Sequence, residues 1–295
     1  MPLLAKNSKI DKNFSKILFK THLYYHNVIE KNKPIGSAQK ALHEKVWLES
    51  VVTVPTLLEQ QKIGEFFKQL DSLITLHQRK LDHLEEQKKG FLQKMFPKKG
   101  QTVPEIRFPG FTDAWEQRKL GEVADVIDPH PSHRAPAEVK IGIPFIGISD
   151  VNEIGEINYS TVRVVDEDIY EEHHRRYDLS IPSLGIGRVA SLGKVIRLRN
   201  DIGKYAISPT MSVLQPDTRI EINYLYSYMN SSQFQKQFSA KSNGSTRQSV
   251  GIKDLRTLVV SVPSSSNEQQ KIGEYFSKFD SLIALHQRKP NTLFS

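Results

Sequence analysis

The sequence predicts an α+β protein in which a mixed α and β domain is joined to long helices of the coiled-coil type. Three observations carry this expectation. One helical segment is present twice, an apolar seam recurs at alternating spacings of four and three, and a series of short strand-like runs lies between the two copies.

Glu59-Gln60-Gln61-Lys62-Ile63-Gly64-Glu65 recurs unchanged as Glu268-Gln269-Gln270-Lys271-Ile272-Gly273-Glu274, an offset of 209 (268 − 59). Over the 22 positions that start at residues 59 and 268, 17 are identical. Upstream the match continues at an offset of 208: Gly36-Ser37 aligns with Gly244-Ser245, and Val52-Thr53-Val54-Pro55 with Val260-Ser261-Val262-Pro263. Each copy has the form of an apolar strand ending in proline. A capping box follows, Thr56-x-x-Glu59 or Ser265-x-x-Glu268, which satisfies free amides at a helix start.

From the first cap, Ile63, Phe67, Leu70, Ile74, His77, Leu81, Leu84, Lys88, Phe91 and Met95 keep 4-3 spacing, the signature of a coiled-coil seam. At 1.5 Å per residue, a helix over 58–95 is roughly 57 Å long, a spacer that needs a partner helix. The second copy begins the same seam with Ile272, Phe276, Phe279, Ile283 and His286, so the two copies are natural partners. Pro290 predicts an early end for the second helix, because proline removes a backbone donor and costs about 3 kcal/mol in a helix interior. His77 and His286 fit register-setting polar seam positions better than a metal site.

Between the helices, strand-like runs occupy 141–148, 157–165, 185–198, 205–214 and 258–262. A helix is expected over 222–238, with Tyr224, Leu225, Tyr228 and Met229 on its core face. Two loops have the composition of a nucleic-acid contact. In the first, Gly185 to Lys194, the glycines allow a tight turn that carries Arg188, Ser191 and Lys194. The second, Gly244-Ser245-Thr246-Arg247-Gln248-Ser249, packs hydroxyls, an amide and a guanidinium into six residues. Solvated hairpin tips are the plain alternative for both.

The bulk numbers agree with a DNA-facing scaffold. The 295 residues, 38% of them hydrophobic, suffice for two domains, and 41 basic against 33 acidic residues give a net charge of +8, which favours a polyanionic partner. With no cysteine, thiol nucleophiles and cysteine-ligated metals are excluded. No apolar run reaches the roughly 18 residues a membrane helix needs, and the start breaks into charge too soon for a secretory signal, so a cytoplasmic protein with no membrane partner is expected. No phosphate-binding loop, dinucleotide fingerprint or nucleophile elbow occurs, and a non-catalytic chain without cofactor or metal is expected. A magnesium nuclease built on Asp128, Glu138 and Lys140 is a weak competing pattern. His130, His133, His173 and His174 read as surface or loop histidines.

With these segments in hand, the chain resembles the specificity subunit of type I restriction-modification systems, over nearly its whole length. The resemblance is carried by Glu-Gln-Gln-Lys-Ile-Gly-Glu followed by Asp71-Ser72-Leu73-Ile74 or Asp280-Ser281-Leu282-Ile283, and by the segment from Phe108-Pro109-Gly110-Phe111 to Trp115-Glu116. It implies target-recognition domains that each read half of a bipartite site in double-stranded DNA, with antiparallel helices setting their separation. It implies methyltransferase subunits docked on those helices and a restriction subunit recruited to the assembly. S-adenosylmethionine, ATP and Mg²⁺ then belong to those partners. By the same resemblance Arg134, Arg188, Ser191, Lys194 and the loop from Gly244, Ser245, Thr246 and Arg247 to Gln248 are the DNA-contact candidates.

The expected division is a C-terminal remnant of a first recognition domain (1–55), a central helix (56–98), an intact second recognition domain (99–263) and a clipped closing helix (264–295). By the 208 offset Met1 aligns with Pro209, so the front of the first recognition domain is expected to be missing. The truncation motivates pairing with a second specificity chain. It also motivates a rival reading as an adaptor or recombination reservoir that binds methyltransferase without reading DNA.

Overall fold

The computed structural model describes residues 10–30, 51–130, 135–152, 155–189, 191–242 and 248–287. It divides into two compact units, 1–80 and 81–295, and the division falls within one long helix.

In the first unit, α1 (Lys12–Leu18) starts at Asp11, whose Oδ1 accepts from the amides of Asn13 (2.9 Å) and Phe14 (2.8 Å). A short α2 (His22–Tyr24), capped by Thr21, runs into a π-helical turn (Tyr25–Glu30). Phe14, Tyr24 and Val28 are buried. α3 (Leu57–Lys94) follows as 38 continuous helical residues. Its cap forms as the sequence predicts. The amide of Thr56 donates to Glu59 Oε2 at 3.0 Å, and that of Glu59 to Thr56 Oγ1 at 3.4 Å. The strand expected at 52–54 is absent from the described residues, since no neighbouring strand pairs with it there.

In the second unit, β1 (Glu116–Lys119) pairs antiparallel with β9 (Val259–Val262). Between them come α4 (Leu120–Val123), β2 (Ala124–Ile127), β3 (Ile143–Ile146), β4 (Arg163–Val165) and α5 (Glu167–His174). Then follow β5 (Ser183–Gly187), β6 (Val195–Leu198), β7 (Ala206–Ile207) and β8 (Met211–Pro216). The strands make an antiparallel sheet of order β2-β8-β5-β6 and a smaller one of order β4-β3-β7, in which β3 and β7 run parallel. Three of the longer runs read from the sequence are thus broken: 185–198 turns back on itself as β5 and β6, 205–214 divides between β7 and β8 in different sheets, and 157–165 is a strand only at its end.

The helix expected over 222–238 is two helices, α6 (Ile222–Met229) and α7 (Ser232–Ala240). The break occurs because Ser231 leaves helical geometry and its Oγ accepts from the Phe234 amide to cap a new start. α8 (Ile252–Arg256) leads into β9, and α9 (Ser266–Gln287) closes the unit.

In the core of this unit, the seam residues Ile272 and Phe276 are buried with Trp115, Tyr224 and Tyr228. Phe96, at the end of α3, lies among them, its ring 5.8 Å from Phe276 and 5.4 Å from Tyr228. α9 does pair with α3, but with its later turns. Gln287 meets Glu85, Asp280 meets Lys88 at 2.6 Å, and Phe279 lies 6.1 Å from Phe91. Residue numbers rise on one helix as they fall on the other, so the pair is antiparallel. Leu84 is buried, Leu81 is half-buried, and Phe91 packs on the core, while Ile63, Phe67, Leu70, Ile74 and His77 stay exposed. A uniform 4-3 pattern therefore serves two environments.

Both units seat a short helix on their long one with the same contacts. Gln60 Oε1 accepts from the Asp11 amide at 2.9 Å while its Nε2 donates to the Pro55 carbonyl. Gln269 Oε1 accepts from the Glu221 amide at 2.9 Å while its Nε2 donates to the Pro263 carbonyl. One turn on, Gly64 and Gly273 lie against the backbone amides of Phe14 and Tyr224. A Cβ on either glycine would approach that nitrogen to 2.8 Å, which is why neither position tolerates a side chain.

Candidate nucleic-acid interface

The turn between β5 and β6 is held by its own backbone. Gly187 donates to Lys194 O and Gly193 to Gly187 O, each at 2.9 Å, while Ser191 and Gly193 take positive φ values of 44° and 78°. Left-handed φ at two positions in three residues makes a tight tip, and Ser191 stands exposed on it.

The Arg188 amide donates to Thr210 O at 2.9 Å, and its carbonyl accepts from the Val250 amide at 2.9 Å. The second bond ties Val250, two residues after Gln248, to the first turn. Gln248 is exposed beside this junction in the chain. Gly244, Ser245, Thr246, Arg247 and Arg134 lie outside the described residues.

Two candidates behave differently from the expectation. Lys194 points inward, its Nζ donating to the carbonyls of Ile148 (3.1 Å) and Val151 (2.6 Å), both buried residues. Those acceptors occupy the ammonium group, so Lys194 is a brace between the turn and the neighbouring segment, not a mobile phosphate partner. Replacing it with alanine is expected to cost about 1–3 kcal/mol through the carbonyls left without a donor. The salt dependence of DNA binding should stay as in the wild type; denaturant melts and titrations at several salt concentrations measure the two effects separately.

Arg188 is restrained rather than consumed. Its Nη2 donates to Asp128 Oδ2 at 2.8 Å, and its side chain retains 14% exposure. In the weak nuclease pattern, Asp128 thus has Arg188 as its ion-pair partner. Arg176, which the sequence reading passed over, is exposed after α5 and donates to the Asp128 carbonyl at 3.4 Å. Its only signal was the basic run His173-His174-Arg175-Arg176.

The histidines need a larger correction. His130 and His173, 43 residues apart, are both buried, with Nδ1 of one 2.7 Å from Nε2 of the other. The fold carries them inside because α5 packs against β7 and β3, which no local spacing reveals. Burial first, and then the neighbouring His130, push the His173 pKa down from 6.5 to about 4. The native state refuses a proton that the unfolded chain accepts below about pH 6.5. Stability is therefore full above that pH and falls as pH drops toward 4, by on the order of 3 kcal/mol in all. Urea denaturation from pH 7 to 4 is the check, and His173→Phe should flatten the profile.

The domain thus buries His130 and His173, braces Lys194 inward and joins the arginine-bearing turn to Val250. Comparison with known proteins gives the family. Residues 2–86 and 112–294 match the model of the type I restriction modification DNA specificity domain, and the chain belongs to that family. The type I restriction enzyme MjaVIII specificity subunit of Methanocaldococcus jannaschii is 22% identical over 289 residues, covering 93% of this chain and 67% of the relative.

Among solved structures, the HsdS subunit from Thermoanaerobacter tengcongensis superposes with a TM-score of 0.54 at 18% identity, over 98% of this chain and 67% of that one. The type I restriction-modification S subunit from M. genitalium gives 0.52 at 15% identity, over 95% and 68%. The chain thus spans about two thirds of the length of these relatives. Its role is DNA recognition within a restriction-modification system, and it is a non-catalytic specificity component. Among the described residues, no helix is long and apolar enough to cross a membrane.

Proposed function

We propose that residues 99–263 form one recognition domain that reads one half of a bipartite DNA site, with Arg188, Ser191 and Gln248 among its contact residues. The observation that carries this reading is the Val250 to Arg188 backbone bond, which joins the residue following Ser249 to the glycine-rich turn. Asp128 holds the guanidinium in a fixed direction, which reduces the entropy lost when a base edge or phosphate takes it up.

Residues 1–55 act as the end of a first recognition domain, and the helix cap at Asp11 and the glutamine clamp of Gln60 parallel those at Glu221 and Gln269. The helices dock methyltransferase subunits, through which a restriction subunit joins, and the assembly works in the cytoplasm. Cofactors are held by those partners. Affinity for DNA should fall steeply with salt as counterions are released. Methylome sequencing of cells expressing this chain with its methyltransferase tests the whole reading. A new methylated motif that is lost in Arg188→Ala supports it, and no motif at all rejects it in favour of the adaptor.

A further inference from the structure

Building on the recognition role proposed above, we infer that Asp128 is a specificity-determining residue of this domain. Together with Arg188 it selects a G·C base pair in the major groove, the arginine reading the guanine and the aspartate the cytosine.

A guanidinium alone is an indiscriminate contact, because it binds phosphate and base edges alike. Asp128 changes that. Its Oδ2 accepts from Arg188 Nη2 at 2.8 Å, and among the described residues this is the one hydrogen bond the guanidinium makes, since Arg188 Nε is buried without a partner. Paired with a carboxylate, the guanidinium loses much of its pull on phosphate, while its outward N–H groups keep a set direction.

Asp128 is itself anchored. Its carbonyl accepts from Arg176 Nη1 at 3.4 Å, and His130, two residues on, is buried against His173. Among the described residues Asp128 Oδ1 receives only the His130 amide, at 3.4 Å, and the side chain is 31% exposed, so this oxygen keeps acceptor capacity toward solvent.

Side by side, the two residues therefore offer donors next to an acceptor. The major-groove edge of a G·C pair offers the complement, acceptors at guanine N7 and O6 next to the donor at cytosine N4. An A·T pair presents acceptor, donor, acceptor, which sets donor against donor and the carboxylate against thymine O4. Phosphate has acceptors only, and the carboxylate repels it.

The test is selection from a random duplex library by the full chain with its methyltransferase subunit, followed by affinities for the selected duplex and for an unrelated one. One selected position should be G·C, and exchanging it for A·T should weaken wild-type binding about tenfold or more. Putting N4-methylcytosine there, which blocks the groove-facing donor and keeps the base pair, should also weaken it; this arm needs no variant to fold. Arg188→Ala should lose the preference. Asp128→Asn keeps the side-chain shape, and circular dichroism verifies its fold. It should lose the preference too, yet bind the unrelated duplex more tightly, with a salt slope steeper by about one as the guanidinium turns to phosphate. An equal loss for both duplexes in Asp128→Asn makes Asp128 a structural prop and overturns the inference. So does an unchanged preference in that variant, indifference to N4-methylcytosine, or a wild-type motif with no G·C position that depends on Arg188. A wild type that selects no sequence rejects the recognition role itself, so the two readings fail by different results.

Discussion

Phe96→Ala is expected to destabilise the larger unit by about 3–5 kcal/mol, close to the whole stability of a modest domain. The ring is 1% exposed and lies 5.4–6.2 Å from the rings of Trp115, Tyr224, Tyr228 and Phe276. Its removal opens a hole where α3, α6 and α9 meet, and rings held on several sides relax little to fill it. Phe276→Ala should approach the same loss. The matching residue of the first copy gives the contrast. Phe67 is 41% exposed, and Phe67→Ala should change stability by about 0.5 kcal/mol or less. Urea denaturation of the three variants, followed by near-ultraviolet circular dichroism, measures the differences. Similar losses for Phe67 and Phe276 would mean that the two copies share one environment.

Glu268→Ala is expected to cost about 3–5 kcal/mol, the usual consequence of stripping one partner from a buried ion pair. Both carboxylate oxygens of Glu268 are engaged by Arg107, at 2.6 and 2.8 Å, and the side chain is 1% exposed. Without it the Arg107 guanidinium, only 11% exposed, is left buried and unpaired. Glu59 has the same place in the first copy, yet its carboxylate turns back to the Thr56 amide in an exposed capping box. Glu59→Ala should fray the start of α3 and leave global unfolding almost unchanged. Amide hydrogen exchange at residues 57–60 reads the fraying, and thermal melts of both variants read global unfolding.

That contrast shows how far the sequence could be read. The cap at Thr56, the α+β class, the partnership of the two copies and the family were all legible, because each depends on local spacing or on an exact repeat, while the antiparallel sense of the pairing came from the family resemblance. The cap at Ser265 was legible only in part. Its hydroxyl does accept from the Glu268 amide, at 3.4 Å, but the glutamate is drawn away by an arginine 161 residues distant. Seam membership failed for the same reason. Ile272 and Ile63 have identical neighbours in sequence, and only the α/β domain beside the second copy decides that one is buried and the other exposed. At the candidate interface, glycine spacing located the tight turn, but nothing local indicated that Lys194 would turn inward or that Asp128 would hold Arg188. The paired histidines were invisible because the two strands that enclose them come from distant parts of the chain.

The glutamine clamp has a consequence for how such a chain changes. Gln60 and Gln269 hold backbone groups, an amide and a proline carbonyl, and so place almost no demand on the side chains of whatever precedes them. The joint is indifferent to the surface that reads DNA. A different recognition domain grafted upstream keeps both bonds, provided that it ends in a capped short helix and a proline. Specificity is then exchangeable as a cassette while the junction stays the same.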